Sequence, residues 1–397
     1  MKLLAQHSLN GYGGMGEGMS MQLARGARRV LWLAHESAPK NFTAVEVTDP
    51  RRPRVIVQTD LPHLAMRSNS LEVCGDIMAV AYQVSQPGLK PAGFELFDVS
   101  DPERPRSISL FDASGAHSRG CHALWFVDGK TVHMACSDPE LRPRDPKDDQ
   151  IYRIVDVSNP ARPLAVGRWH LPGTMHGDDA PAPKRLAPQF DAGFRAHNTN
   201  VYPQRPDRCY LGYLDAGMMV LDIAEHSRPK LVSRWRNSPP YNGFTHTVLP
   251  LFGRGLLVVT DEAIQNDGAD WPKLVWLLDA RDEKNLVSIG TLPVAGVKPL
   301  LHQGGRCGAH NVHENPPAQG AWRSEDVVLG TFFNAGVRAY DVRDPYAPRE
   351  IAHFIPPVPE GSPVSAAQIN DVFVDDRGIV FAVDRHAGGL YVLEMTL

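Results

Sequence analysis

The sequence predicts an all-β protein, a seven-bladed β-propeller, and three observations lead there. A short apolar run ending in an acidic residue recurs seven times, at Glu46, Asp98, Asp156, Asp222, Asp279, Asp341 and Glu394. Successive copies are 52 to 66 residues apart, the length of a repeated four-stranded unit. Between copies, strand-like runs alternate with Gly, Pro and Asp turns, and no βαβ alternation appears.

Residues 121 to 170 show the unit. Cys121 to Val127 reads as an inner strand, Asp128-Gly129-Lys130 as a tight turn, and Thr131 to Cys136 as the second strand. Tyr152 to Val157 is the third, Ser158 to Pro163 a proline turn, and Leu164 to Trp169 the outer strand. The seventh copy, Asn370 to Asp384 and then Leu390 to Glu394, has room for only three strands. Lys2 to Ser8, ahead of the first inner strand, supplies the fourth, so the N- and C-terminal strands pair and close the ring. Closure removes the free edges that invite aggregation.

Leu-Phe-Asp-Val-Ser-Asp-Pro at 96–102, Arg-Ile-Val-Asp-Val-Ser-Asn-Pro at 153–160 and Ala-Tyr-Asp-Val-Arg-Asp-Pro at 339–345 resemble the LVIVD-repeat family of β-propellers. The resemblance covers nearly the whole chain, and blades 1, 5 and 7 depart from the motif. It implies architecture and no particular chemistry. Together with the repeat it gives one propeller domain over residues 1–397.

Composition narrows the function. A net charge of −4 offers no basic field for nucleic acid or an anionic membrane. Met1 to His7 turns polar too soon for a signal peptide, and no apolar stretch nears the roughly 20 residues of a membrane span. Five irregularly spaced cysteines without a C-x-x-C pair fit a reducing, cytoplasmic setting. Cys74, Cys136 and Cys209 read as small core residues, while Cys121 and Cys307 lie near histidines.

In a propeller, loops joining blades and loops joining second to third strands open on the same face. Here those are the long ones: 84–93, 137–150 and 262–273 within blades, and 171–196, 293–309 and 355–368 between them. Glu314 to Glu325 is the exception, on the opposite face. Long loops concentrated on one face predict a one-faced binding site.

Aligning the blades on the start of the inner strand gives a column: His122, His197, His246, His310 and Asn370 in blades 3 to 7. The position falls at Arg67 or Ser68 in blade 2 and near Met19 in blade 1. Four of the 16 histidines thus converge on the mouth of the channel. Imidazole is a common ligand of divalent transition metals, and each such ring needs an acceptor on its other nitrogen. The expected metal is Fe(II), Zn(II) or Mn(II), with Asp215, Asp261, Glu262, Glu314, Asn334 and His386 as candidate supporting groups. The competing reading makes the four rings hydrogen-bonded fasteners within their blades, but blades 1, 2 and 7 lack them.

Arg119, Arg195 and Arg306 precede column histidines, and with Arg67 they suit a carboxylate or phenolate substrate. His176, Asp178 and Asp179 lie in loop 171–196, a candidate lid. His302 and His313 are looser candidates, and His7, His63, His226 and His353 look peripheral. Gly11-Tyr12-Gly13-Gly14-Met15-Gly16 fits G-x-G-x-x-G, but no buried strand precedes it and no helix follows, so it is set aside as the entry loop of blade 1.

The four-histidine channel is similar in arrangement to that of the carotenoid-cleaving oxygenases, and in outline to the selenium-binding, thiol-oxidising propellers. The expectation is therefore a metal-dependent oxygenase or lyase/hydrolase acting on a small-molecule substrate, aromatic or carboxylated. His122, His197, His246 and His310 would hold the metal, Glu262 and Asp215 would act as acid/base groups, and Arg67 and Arg195 would bind substrate. The alternative is a non-catalytic propeller scaffold that presents its long-loop face to a protein partner.

Overall fold

In the computed structural model, which describes residues 1–185, 190–237, 241 and 243–395, seven antiparallel sheets succeed one another along the chain. From blade 1 to blade 5 each inner strand touches that of the next, and the inner strand of blade 7, Ile369–Val374, touches that of blade 1, Met15–Ala24. The ring is closed as expected: Lys2–His7 pairs antiparallel with Leu390–Glu394, from Lys2 opposite Glu394 to His7 opposite Leu390.

The acidic residue of the repeat closes the third strand in all seven blades. In five of them its job is visible. Asp98, Asp156, Asp222, Asp279 and Asp341 each accept the backbone N–H two residues on, at 2.8 to 3.1 Å. A short carboxylate there imitates the next turn of backbone and starts the turn. Glu46, one carbon longer, instead takes the guanidinium groups of Arg28 and Arg54.

Apolar side chains fill the spaces between blades. Trp32, Phe42, Tyr82 and Phe97 pack between blades 1 and 2, and Leu9, Met19, Leu31, Phe373 and Phe381 between blades 7 and 1. Burying each large side chain contributes about 1.5–3 kcal/mol. All five cysteines are free thiols, and Cys121 and Cys307 prove to be packed in these apolar layers, away from the column rings. No helix among the described residues is long and apolar enough to cross a membrane.

Two blades depart from the unit. The inner strand of blade 2 is split into Met66–Arg67 and Leu71–Cys74, both paired with Ile77–Val84. The residues between them lean on blade 1, where His35 bridges Ser68 and the Asn69 carbonyl accepts the Glu17 N–H at 2.8 Å. Blade 6 has three ladder strands, and residues 310–313 fill its inner place by donating from His310 and His313 to Thr331 and Leu329.

Candidate functional site

The column forms. Nε2 of His122 lies 2.7 Å from Nε2 of His197. Ring centroids of His197 and His246 are 3.8 Å apart, and those of His246 and His310 are 4.6 Å apart. All four rings are buried. Into their centre reaches a carboxylate that the sequence alignment did not select. Glu17 Oε2 lies 3.3 Å from His246 Nε2 and 3.8 Å from His197 Nε2, and Glu17 Oε1 lies 3.4 Å from His310 Nε2. Glu262 closes the other side, 3.6 Å from His310 Nε2 and 3.9 Å from His246 Nε2.

The outer nitrogens fix what the inner ones can do. His310 Nδ1 faces the Asn370 carbonyl at 2.6 Å, and a carbonyl only accepts, so Nδ1 carries the proton. Asn198 donates its amide to Glu314 at 2.7 Å, which turns its oxygen toward His197 Nδ1 at 2.8 Å and makes that nitrogen a donor too. Thr247 donates to Asn311 at 3.2 Å and accepts from His246 Nδ1 at 2.7 Å. In its neutral form each of these three rings therefore turns an unprotonated Nε2 toward the carboxylates of Glu17 and Glu262. Lone pairs facing carboxylate oxygens repel unless a cation lies between them. Consistent with this, His246 Nε2, His310 Nε2 and Glu17 Oε2 are buried without any hydrogen-bond partner.

On two of the rings a proton is disfavoured. Burial and the neighbouring His246 push the His197 imidazole down to about 3. Burial, His197 and Arg67 hold His122 well below the usual range. Burial alone would raise the Glu17 carboxyl, and it is positive charge on the side of His197 and His246, carried by the rings as imidazolium or by a bound cation, that outweighs burial and holds Glu17 ionised. The donor set fits a divalent transition metal: imidazole nitrogens with outer acceptors, plus carboxylate oxygen. Glu17, His197 and His246 offer ligand atoms within 4.8 Å of one another, as do His246, Glu262 and His310.

The glycines set aside at the N-terminus explain how Glu17 gets there. A Cβ on Gly16 would meet the Asn69 carbonyl oxygen at 2.6 Å, and one on Gly18 would collide with the Leu71 backbone. Without side chains on either flank, the first inner strand lies directly against the second and carries Glu17 into the centre.

Above the rings sits a collar of guanidinium groups from the long-loop face. Arg67 donates to Glu36 at 2.6 Å, to Gln83 at 2.8 Å and toward His122 Nδ1 at 3.2 Å. Arg385 shares Glu36 at 2.7 Å, Arg119 grips Asp149 with two bonds of 2.8 Å, and Arg306 holds Glu262 at 2.6 Å. Arg195 is the least satisfied. Its nearest carboxylate, Asp149, is 3.9 Å away, and its Nε is buried with no partner.

Other expected residues stand apart. Asp215 Oδ2 accepts from Ala192 and Gly193 backbone N–H groups at 2.7 and 3.2 Å, fastening loop 171–196, and it makes no hydrogen bond to a column ring. Burial and Asp191 raise its carboxyl to about 7. Asp261 is occupied by Asn237, Thr245 and Trp276, and Asn334 by the Leu300 carbonyl. Glu314 does support the site, through Asn198. His386 stays at its own turn, where Asp384 takes its backbone N–H. In loop 171–196, residues 186–189 lie outside the described ones. Asp178 ties that loop to itself through Gly173, Met175 and His170, so this part is anchored rather than hinged. His313 bonds the Trp322 carbonyl, away from the rings.

Comparison with known proteins supports the architecture. The LVIVD repeat matches residues 149–170 and 209–236, in blades 3 and 4, so the chain carries LVIVD repeats. Neither matched stretch contains a column histidine. No curated protein matches the chain. Among solved structures, the crystal structure of the Myceliophteria thermophila Cps50 (Swd1) β-propeller domain is similar, with a TM-score of 0.55 and 15% identity. That match covers 96% of this chain and 98% of the other, and at such identity it speaks for the fold alone.

Proposed function

We propose that the channel mouth is a metal centre held by His122, His197, His246 and His310 with Glu17, and that the protein is a metal-dependent enzyme acting on a small organic anion. The observation that carries this reading is the convergence of buried Nε2 atoms on the carboxylates of Glu17 and Glu262, with the Nδ1 atoms of three rings turned to outer acceptors and His246 Nε2, His310 Nε2 and Glu17 Oε2 left without a hydrogen-bond partner. A resting fastener would turn a proton inward to meet Glu17. The metal would supply Lewis-acid polarisation or, as iron, oxygen activation, which suits a lyase/hydrolase or an oxygenase.

The residues around it have separable tasks. Asn198, Thr247 and the Asn370 carbonyl hold the Nδ1 protons of three rings and so keep their inner nitrogens free. Glu262 is held ionised at about 2, because His310 and Arg306 outweigh its burial. It acts as a fixed negative charge beside the rings and orients Arg306. Arg195, half-buried and 3.9 Å from its nearest carboxylate, adds positive charge to a mouth that suits a carboxylate or phenolate substrate. Arg67 bridges Glu36 and His122, so it both positions a ring and lines the entrance.

Elemental analysis of protein purified without chelators tests the proposal. About one equivalent of iron, zinc or manganese, lost in His197→Ala with the fold retained, is the expected result. No metal after anaerobic reconstitution would overturn it and leave a propeller that binds partners through its looped face.

A further inference from the structure

Beside the collar, between blades 1 and 2, lies a cleft of ≈ 540 Å³ lined by residues from four chain segments. That volume falls within the roughly 300–1,000 Å³ of small-molecule sites. One side is apolar: Ala38, Leu64, Ala65, Met66 and Val84. Leu64 is 80% exposed, the most exposed of the large apolar side chains described. An apolar surface left open inside a concave site is surface that an apolar ligand would cover.

The inner end of the cleft is polar, and its charge is defined. Arg67, Arg119 and Glu36 line it, a net of one positive charge. Glu36 is already shared by Arg67 and Arg385. Arg67 uses three of a guanidinium's five N–H groups and Arg119 two, so both retain donors, and both side chains are about a quarter exposed (29% and 27%). An anion with one charge would find paired donors there and an apolar wall beyond them.

We infer that this cleft binds the apolar body of an amphiphilic carboxylate, with Arg67 and Arg119 taking the carboxylate. The inference rests on reading the mouth as a small-molecule site, and it names the substrate class of that site. Because Arg67 also touches His122 Nδ1, cleft and metal centre are joined through one side chain. A carboxylate held by Arg67 lies at the ring end of the cleft, while the chain extends away along Leu64 and Met66.

The test is calorimetric titration of the full chain with straight-chain carboxylates from acetate to decanoate, and with octanamide as the neutral control. Affinity should rise roughly fourfold per added CH₂ until the cleft is full. Octanamide should bind at least about tenfold more weakly than octanoate. Ala65→Trp, which fills the cleft, and Leu64→Asp at an exposed position should each abolish the chain-length dependence while metal content stays unchanged. Affinity independent of chain length, or unaffected by both substitutions, would overturn the inference. Metal content is measured on the same samples. Chain-length-dependent binding to metal-free protein would keep the cleft and refute the metal centre, while metal without such binding would do the reverse.

Discussion

At the channel mouth Glu17 and Glu262 are buried against imidazoles and a guanidinium, whereas Glu72, Glu314 and Asp371 are buried in one another's field. Glu72 and Glu314 lie farther along the chain from the mouth, five and four residues past the column positions Arg67 and His310. Burial is the largest influence on all five carboxyls, and it pushes every one of them up. At the mouth, His197, His246, His310 and Arg306 reverse that push and keep the carboxylates ionised. In the second group the carboxyls reinforce it: Glu314 raises both Glu72 and Asp371, and Glu72 stands at about 8. Burial alone therefore does not decide charge; the facing groups do.

The sharpest way to break this contrast is to remove a ring. His310→Ala and His246→Ala should each lower metal affinity by at least about a hundredfold, read by metal competition titration, with the circular dichroism of the folded state unchanged. Glu17→Gln keeps the shape and removes the central charge, and should weaken metal binding on the order of 10–100-fold. The same substitution at Glu72 should act on stability instead. Glu72 is protonated in the folded state up to about pH 8 and ionised in the unfolded chain above its ordinary value of 4.5. Its contribution to stability is therefore present at low pH and lost as pH rises through that window. Glu72→Gln should leave metal affinity alone and raise stability at pH 8.5 by an amount on the order of a few kcal/mol, with little change near pH 5. Urea unfolding at the two pH values reads the difference. The smallest expected effect is that of Asn198→Ala, which frees the His197 Nδ1 proton and should cost roughly tenfold in metal affinity.

The propeller, its closure by Lys2–His7 and the four converging rings were legible because each repeats. An acidic residue that starts a turn recurs with the blade, and a histidine at the start of an inner strand lands in the same place each time. Glu17 was missed because the first inner strand shifts register between Met15 and Met19, which moved the alignment to Met19. Its signal was present: the one charged residue of the first inner strand, between two glycines, Gly16 and Gly18. Glu36 and Arg385 were not assigned to the channel mouth, since their loops meet only after the ring closes, 349 positions apart in the chain. Asp215 and Asp261 were placed on the correct face, but their carboxylates turn to the backbone of a loop and to Trp276, which no spacing reveals.

The most direct test of the central claim is X-ray absorption at the edge of whichever metal the purified protein binds. The account predicts one site with three or four imidazole shells at about 2.0–2.2 Å and one carboxylate oxygen, and a loss of one imidazole in His197→Ala. A spectrum of oxygen ligands alone, unchanged by that substitution, would contradict it.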